Sequence, residues 1–252
     1  MDKISSFFAG IATFFLDMKD EFVFCFIDGD RWKWLVDGLL VTLEVTFFSV
    51  ILGIVIGIVL AIIRSTYDTN FSTLRNPIGR FIFRVLNGFS KLYLTIIRGT
   101  PVVVQLMLIY YVILVSVDSK VLVASLAFGI NSGAYVAEIV RSGIMSIDKG
   151  QFEAGRSLGL SYTQTMIKII IPQAFKNVLP TLANEFIVLL KETSVSGYVA
   201  LEDITKAGDL IRSRTYSAFM PLIAVAIIYL ILVVFFTKLV SILERRLRNS
   251  DH

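Results

Sequence analysis

The sequence predicts an all-α integral membrane protein with about five membrane-spanning helices, and three observations predict it. With 56% hydrophobic residues, 20 Phe, only five Pro and a mean hydropathy of +0.76, the chain is too apolar for a soluble domain of 252 residues. Its apolar residues gather into runs of about 20 or more, the length a helix needs to cross a hydrocarbon core of roughly 30 Å. Between the third and fourth of these runs lies a polar island, GQFEAGRSLGLSYTQTMIKIIIP at 150–172, with the pattern of two short helices about a glycine.

Composition also sets aside several function classes. The net charge of +4 bears on membrane topology, since no interleaving of basic and aromatic residues points to nucleic acid. Cys25 is the one cysteine and His252 the one histidine, so no intrachain disulfide, metal site or interior histidine base is expected. No G-x-x-x-x-G-K-[ST] occurs, so the chain does not bind ATP by that route and no enzyme activity of its own is expected.

Residues 1–38 form an interfacial or extracytoplasmic N-terminal segment. Its apolar run from Ile4 to Leu16 is too short to span, and Asp2 beside Lys3 with the charged stretch from Asp17 to Glu21 makes a poor cleavable signal. Trp32 and Trp34 suit the headgroup level just before the first span, about Leu39 to Ile63, in which Gly53 and Gly57 form a G-x-x-x-G that lets another helix approach closely. From Arg64 to Lys91 the chain reads as a basic loop, with five Arg or Lys against Asp68, and the positive-inside rule makes it cytoplasmic. The second span, about Tyr93 to Val117, contains Arg98-Gly99-Thr100-Pro101 and Gln105. Two readings of that cluster stand side by side: Arg98 snorkels while Pro101 kinks the helix, or a broken helix lines a pathway.

The third span, about residues 121–144, carries Ser125, Gly129, Gly133 and Ala137 at four-residue spacing, a small-residue face for another helix, with Asn131 as a nearby polar group. Glu138 and Arg141, three apart, are expected to pair. In the docking element, 148–172, Asp148 with Gln151 and Ser161 with Gln164 are both capping-box patterns, and Gly159 stands where a helix stops. Tyr162, Met166, Ile169 and Ile170 then form an amphipathic stripe that ends at Pro172.

The fourth span, about Asn177 to Tyr198, brings Lys191 and Glu192 roughly 18 Å beyond Leu179, near the centre of the core, where charges need protein or water around them. Thr193 follows directly, and Ser194, Ser196 and Gly197 allow the helix to unwind. A water-lined site is expected there, with a buried structural ion network as the other reading. Ala200 to Ser217 reads as an outer loop with a surface helix. The last span, about Phe219 to Val240, runs into a basic flank of Arg245, Arg246 and Arg248 that places the C-terminus, with its tail at 249–252, in the cytoplasm. Five spans then place the N-terminus outside; if Ile4 to Leu16 spans as well, only that end changes side.

Glu153-Ala154-Gly155, three residues, Gly159, nine residues, then Ile169-x-Ile171-Pro172 resembles the coupling-helix signature of the membrane subunits of bacterial ATP-binding-cassette importers. Gly155 stands for the usual second alanine and Ile171 for the usual leucine. The stretches Arg98 to Leu106, Ser132 to Arg141 and Leu189 to Ser194 look like the polar amino-acid uptake permeases of the histidine, glutamine and arginine type. The similarity covers about Leu39 onward through the permease domain, 39–248. It implies a type I importer permease fold in the bacterial plasma membrane, a second permease subunit, identical or homologous, two ATPase subunits holding ATP and Mg, and an extracytoplasmic amino-acid-binding protein. It implies import of a polar amino acid by alternating access, with Glu153, Ala154, Gly155, Arg156, Gly159, Tyr162 and Pro172 in ATPase coupling. Arg98, Gly99, Thr100, Gln105, Lys191, Glu192 and Thr193 are then the candidate substrate-pathway residues.

Two other classes are weighed against this. An ion-driven secondary transporter would also place charges at midplane, but it typically shows an internal repeat, and none is evident. A non-transporting membrane scaffold could use the same hinge to hold a cytosolic protein, but it gives no reason for Lys191 and Glu192.

Overall fold

The computed structural model describes residues 17–71 and 76–249. The interfacial run expected from Ile4 to Leu16 lies outside the described residues. Among the described residues every regular element is helical.

Helix α1, Trp32–Asn70, has 39 residues and extends roughly 58 Å, far beyond the thickness of a hydrocarbon core. The helix begins before and runs on past the span expected at about Leu39 to Ile63. No glycine or proline interrupts 64–76, so the helix continues through Arg64 and Asp68, and the supposed basic loop is largely helical. Helix α2, Pro77–Gly99, starts where the Asn76 side chain accepts the Ile78 N–H at 3.0 Å and Pro77 takes the first turn.

The second expected span is two helices. Helix α3, Val102–Leu108, runs on through a π-helical turn at Ile109–Ile113, and it leaves α2 at 108°. Thr100 is extended (φ −126°, ψ 145°), as a residue before proline prefers. Pro101 has no N–H to give the Ile97 carbonyl, and Gln105 supplies the missing donor: its Nε2 lies 2.7 Å from Ile97 O, 3.0 Å from Thr100 O and 2.8 Å from Thr100 Oγ1. Its Oε1 in turn accepts from Asn131 Nδ2 at 3.0 Å, and Thr100 Oγ1 donates to Ile96 O at 2.9 Å. The break is therefore a closed hydrogen-bonded corner.

Helix α4, Lys120–Met145, is capped by Ser119 and buries most of its first half. Its small-residue face lies along the G-x-x-x-G of α1, and the fit is reciprocal. A Cβ at Gly57 would stand 2.4 Å from Val136 Cγ1 and 2.8 Å from the Ala137 nitrogen, while one at Gly133 would stand 2.8 Å from Ile56 Cγ2. Each helix thus receives the other's branched side chains in its glycine gaps. Beyond this seam, Val45, Leu106, Val123, Phe128, Leu189 and Val199 form a core that joins α1, α3 and α4 to the segment after 170.

Helices α5, Lys149–Ser157, and α6, Tyr162–Thr165, precede helix α7, Ile171–Glu192, which tightens into a 3-10 segment at Thr193–Val199 and stops at Ala200 with φ 54°. Helix α8, Ile204–Thr215, is no loose surface helix. Ile204, Ala207 and Ile211 are buried in a cluster with Leu35 of α1 and Val225 of helix α9, Phe219–Asn249. Asp203 caps α8 through the N–H groups of Thr205 and Lys206, and burial pushes its carboxyl above the ordinary range. On the exposed side Arg212, then Lys206, hold Asp209 below that range.

By length and apolarity, α1, α4 and α9 can each cross a membrane, and α2 with α3 make a fourth crossing if the bent pair is one span. Helix α7 has 22 residues, about 33 Å, long enough to cross but charged along its course.

Two outcomes follow for stability. Gly57→Ala overpacks the α1–α4 seam and costs about 1–3 kcal/mol, read as a lower melting temperature in detergent, whereas Gly88→Ala, where a Cβ meets nothing within 4 Å, does not lower it. Gln105→Leu strands the Ile97 carbonyl and the Asn131 amide at roughly 1–3 kcal/mol per group. Asn131→Leu added to it costs less than the sum of the single changes, and an additive cycle or an unchanged Gln105→Leu melt contradicts the corner.

Candidate functional site

The polar island folds as a hinged pair of helices. Asp148 caps α5 by accepting the Gly150 N–H at 2.6 Å. The expected box with Gln151 does not close, because the Gln151 side chain instead accepts from Gln173 Nε2 at 3.4 Å. Helix α5 ends in two bonds typical of a glycine stop, Gly159 N–H to Arg156 O at 2.9 Å and Leu160 N–H to Gly155 O at 3.0 Å, with Gly159 at φ +76°. Ser161 and Gln164 form the complete capping box of α6. Gly155 is buried where the two helices meet, and a Cβ there would stand 2.6 Å from Thr165 Oγ1 and Cγ2. Glycine in place of the usual alanine therefore matters to the closure of the pair.

Glu153, Ala154 and Arg156 are exposed on α5, and Leu158 stands 76% exposed at the hinge. Tyr162 points inward, its hydroxyl 2.7 Å from Thr69 Oγ1 at the far end of α1. Beneath the pair, Ile144 of α4 packs with Met166, Ile170 and Ala174.

Pro172 does not end the amphipathic helix. Residues Met166–Ile170 form a π-helical turn in which the Ile171 N–H reaches back five residues to Met166 O, and the chain continues unbroken from α6 into α7. Proline lacks the donor and crowds the carbonyl four residues back; the widened turn accommodates both defects.

At the other end of α7, Lys191 is exposed, Glu192 half-buried and Thr193 fully buried, its hydroxyl donating to Leu190 O at 2.8 Å. Two turns earlier Glu185 Oε1 accepts from Ser132 Oγ of α4 at 3.0 Å. Ser132 adjoins Asn131, which holds Gln105, so consecutive residues of α4 connect the corner to α7.

The α4 acid and base do not pair with each other. Arg98 Nη1 lies 2.5 Å from Glu138 Oε1, joining α2 to α4, and its guanidinium stands 5.7 Å from the Tyr135 ring centre. Arg141 instead meets Asp68 of α1 at 2.9 Å. The reason is the unforeseen length of α1 and α2, which brings both partners alongside α4. Arg98 and Gly99 border a cavity of about 560 Å³. Glu138 borders both this cavity and a second one of about 400 Å³ that reaches Ser142 of α4, Ser146 just past its end, and Asn177 and Thr181 of α7.

The structure thus brings Arg98 and Gly99 to an open cavity, while Gln105 and Thr100 are engaged in the corner. Residues not singled out from sequence are Glu185, Ser132, Arg64, Lys91, Thr69 and Leu158. Glu185 carried a signal, a carboxylate inside an apolar run; the others depend on how the helices pack.

The chain is similar to known proteins over most of its length. The family model described as "Binding-protein-dependent transport system inner membrane component" matches residues 53–249. A putative glutamine transport system permease protein of Rickettsia bellii (strain RML369-C) is 36% identical over 216 residues, 84% of this chain and 92% of its own length. The arginine transport system permease protein ArtQ of Bacillus subtilis (strain 168) is 35% identical over 220 residues, 86% and 94% of the two chains. A chain from a crystal structure of an amino acid ABC transporter with histidines has a TM-score of 0.75 at 38% identity, covering 88% of this chain and 98% of that one. A chain of the MetNI methionine ABC transporter, at 20% identity and a TM-score of 0.71 over 86% and 97% of the two chains, shares the fold. This chain belongs to the family of inner membrane components of binding-protein-dependent transport systems.

Proposed function

We propose that the chain is the permease subunit of an ATP-driven importer that moves a polar amino acid into the cell. The observation that carries the reading is mechanical. The exposed hinge pair α5–α6 is continuous through the π turn with α7, whose far end bears Lys191, Glu192 and Thr193. A partner that grips Glu153, Arg156 and Leu158 therefore holds one end of a lever whose other end carries the charged residues. The names of the relatives, glutamine and arginine permeases and an amino acid transporter, support the substrate class.

In this reading ATP and Mg are held by two separate ATPase subunits, which dock on Glu153, Ala154, Arg156 and the Gly159 hinge. A second permease chain, identical or homologous, completes the pathway, and an extracytoplasmic binding protein delivers the amino acid. The hinge pair lies on the cytoplasmic side of the bacterial plasma membrane together with Arg245 and Arg246 beyond the apolar part of α9, the N-terminus lies outside, and the membrane domain comprises 39–248. Substrate passes the Arg98-Gly99-Thr100 break and the end of α7, where Glu192 meets the ammonium and Arg98 or Lys191 the carboxylate. Gln105 serves this path indirectly, by holding the break.

The test is ATP hydrolysis by the assembled complex in lipid nanodiscs, with its binding protein and a panel of polar amino acids. Wild type is stimulated by one or a few of them. Gly159→Pro, which cannot adopt φ +76° and removes the N–H that closes α5, loses the stimulation while the complex stays assembled. An assembled complex that no amino acid stimulates contradicts the reading. For the path itself, Glu192→Gln in reconstituted vesicles lowers uptake by about tenfold or more, as loss of a half-buried charge contact does; unaltered uptake kinetics remove Glu192 from the path.

A further inference from the structure

The cavity beside Arg98 has a charge imbalance that its ion pair does not remove. Its walls come from Arg64 of α1, Lys91, Thr95 and Arg98 of α2, and Tyr135 and Glu138 of α4. Glu138 is the one acid among them, and it is matched by Arg98 at 2.5 Å. Two cations are left over. The buried Nε of Arg64 has no hydrogen-bond partner, and Lys91 makes no ion pair among the described residues. A volume of about 560 Å³ falls within the usual size of small-molecule sites, roughly 300–1,000 Å³.

The direction in which the cavity opens identifies the kind of ligand. On α2, Phe81, Val85, Phe89, Leu92 and Ile96 recur at three- and four-residue spacing and are all exposed, forming an apolar stripe. Leu94, Arg98 and Lys91 lie on the other side of the same helix, roughly 120–180° from the middle of that stripe at 100° per residue, and Thr95 lies at its border, roughly 80° away. The stripe suits lipid chains, so the cationic cavity faces away from them, toward α1 and α4. That setting suits an anion arriving through water better than a lipid chain.

We infer that this cavity is the permease's own recognition site for amino acids that carry a second carboxylate, with Arg64 and Lys91 receiving the side-chain carboxylate. The inference rests on the importer reading and deepens it. A zwitterion brings no net charge and Arg98 is already matched by Glu138, so a neutral amino acid leaves Arg64 and Lys91 uncompensated. An acidic side chain supplies the missing negative charge. A cationic side chain would bring a third positive charge to the same place, and that like-charge contact is the element that rejects it. Selection then occurs in the permease as well as in the binding protein.

The experiment measures binding of radiolabelled glutamate, glutamine and arginine to the permease–ATPase complex in nanodiscs without the binding protein, so that only the permease selects. Glutamate is expected to bind about tenfold more tightly than glutamine, with arginine weaker still, as one uncompensated charge in a partly solvated site implies. Arg64→Gln with Lys91→Gln removes the preference, while the double variant still assembles with its ATPase and keeps the wild-type melting temperature, which separates lost recognition from lost folding. Equal affinities, tighter binding of arginine, a preference that survives the double variant, or no binding of any of the three overturns the inference. Stimulated ATP hydrolysis in the presence of the binding protein is measured on the same preparation. If that stimulation is present and the preference is not, this inference alone fails; if the stimulation is absent, the importer reading fails with it.

Discussion

The bond from Gln105 to the carbonyl that Pro101 leaves unserved is the constraint on which the rest of the membrane domain depends. A 108° bend leaves backbone carbonyls without their helical donors, and on the side turned into the protein such groups carry a cost unless a side chain satisfies them. One amide side chain answers the Ile97 and Thr100 carbonyls together, and its oxygen is fixed by Asn131. The bend can then be as sharp as it is without being loose. Because Asn131 precedes Ser132, and Ser132 holds Glu185, the corner is set against α7 by two successive residues of α4.

Helix α4 can serve as this reference because its seam with α1 leaves little room for adjustment. The glycine gaps on each helix receive branched side chains from the other, so sliding along the seam would drive backbone into Val136 or Ile56. In lipid, where apolar contact with a neighbouring helix gains little over contact with acyl chains, such close packing is what distinguishes one arrangement from another. The two ion pairs that reach α4 from α1 and α2 add register to this seam. Both are substantially exposed in this chain, so their electrostatic contribution to stability is small and their geometric role is the larger one.

Much of this was legible in the sequence, for identifiable reasons. The G-x-x-x-G of α1 and the four-residue stripe of α4 could be read because close helix packing demands small side chains at helical spacing. The Gly159 stop and the Ser161–Gln164 cap could be read because positive φ and unsatisfied N–H groups restrict the residue type. What could not be read depended on partners distant in sequence. The Glu138–Arg141 pairing failed because local spacing cannot show that Asp68 and Arg98 arrive on neighbouring helices. The basic 64–91 stretch looked like a loop because its charges break the hydropathy, yet charge does not stop a helix. Arg64 and Lys91 became visible as a site only once those helices had been placed.

Pro172 shows how a residue's local meaning can reverse in context. Proline usually terminates a helix, and had it done so here, the hinge pair would be joined to α7 by a flexible link that transmits little. The π turn at Met166–Ile170 changes that outcome, because its five-residue hydrogen bond widens the helix where the proline ring and the missing N–H require room. The helix passes through without a stop, so α6 and α7 run on as one helical course to Lys191 and Glu192, with Pro180 inside it. Along its course Glu185 accepts a hydrogen bond from Ser132 of α4, so the helix that Pro172 fails to stop is also held in register with the α1–α4 seam.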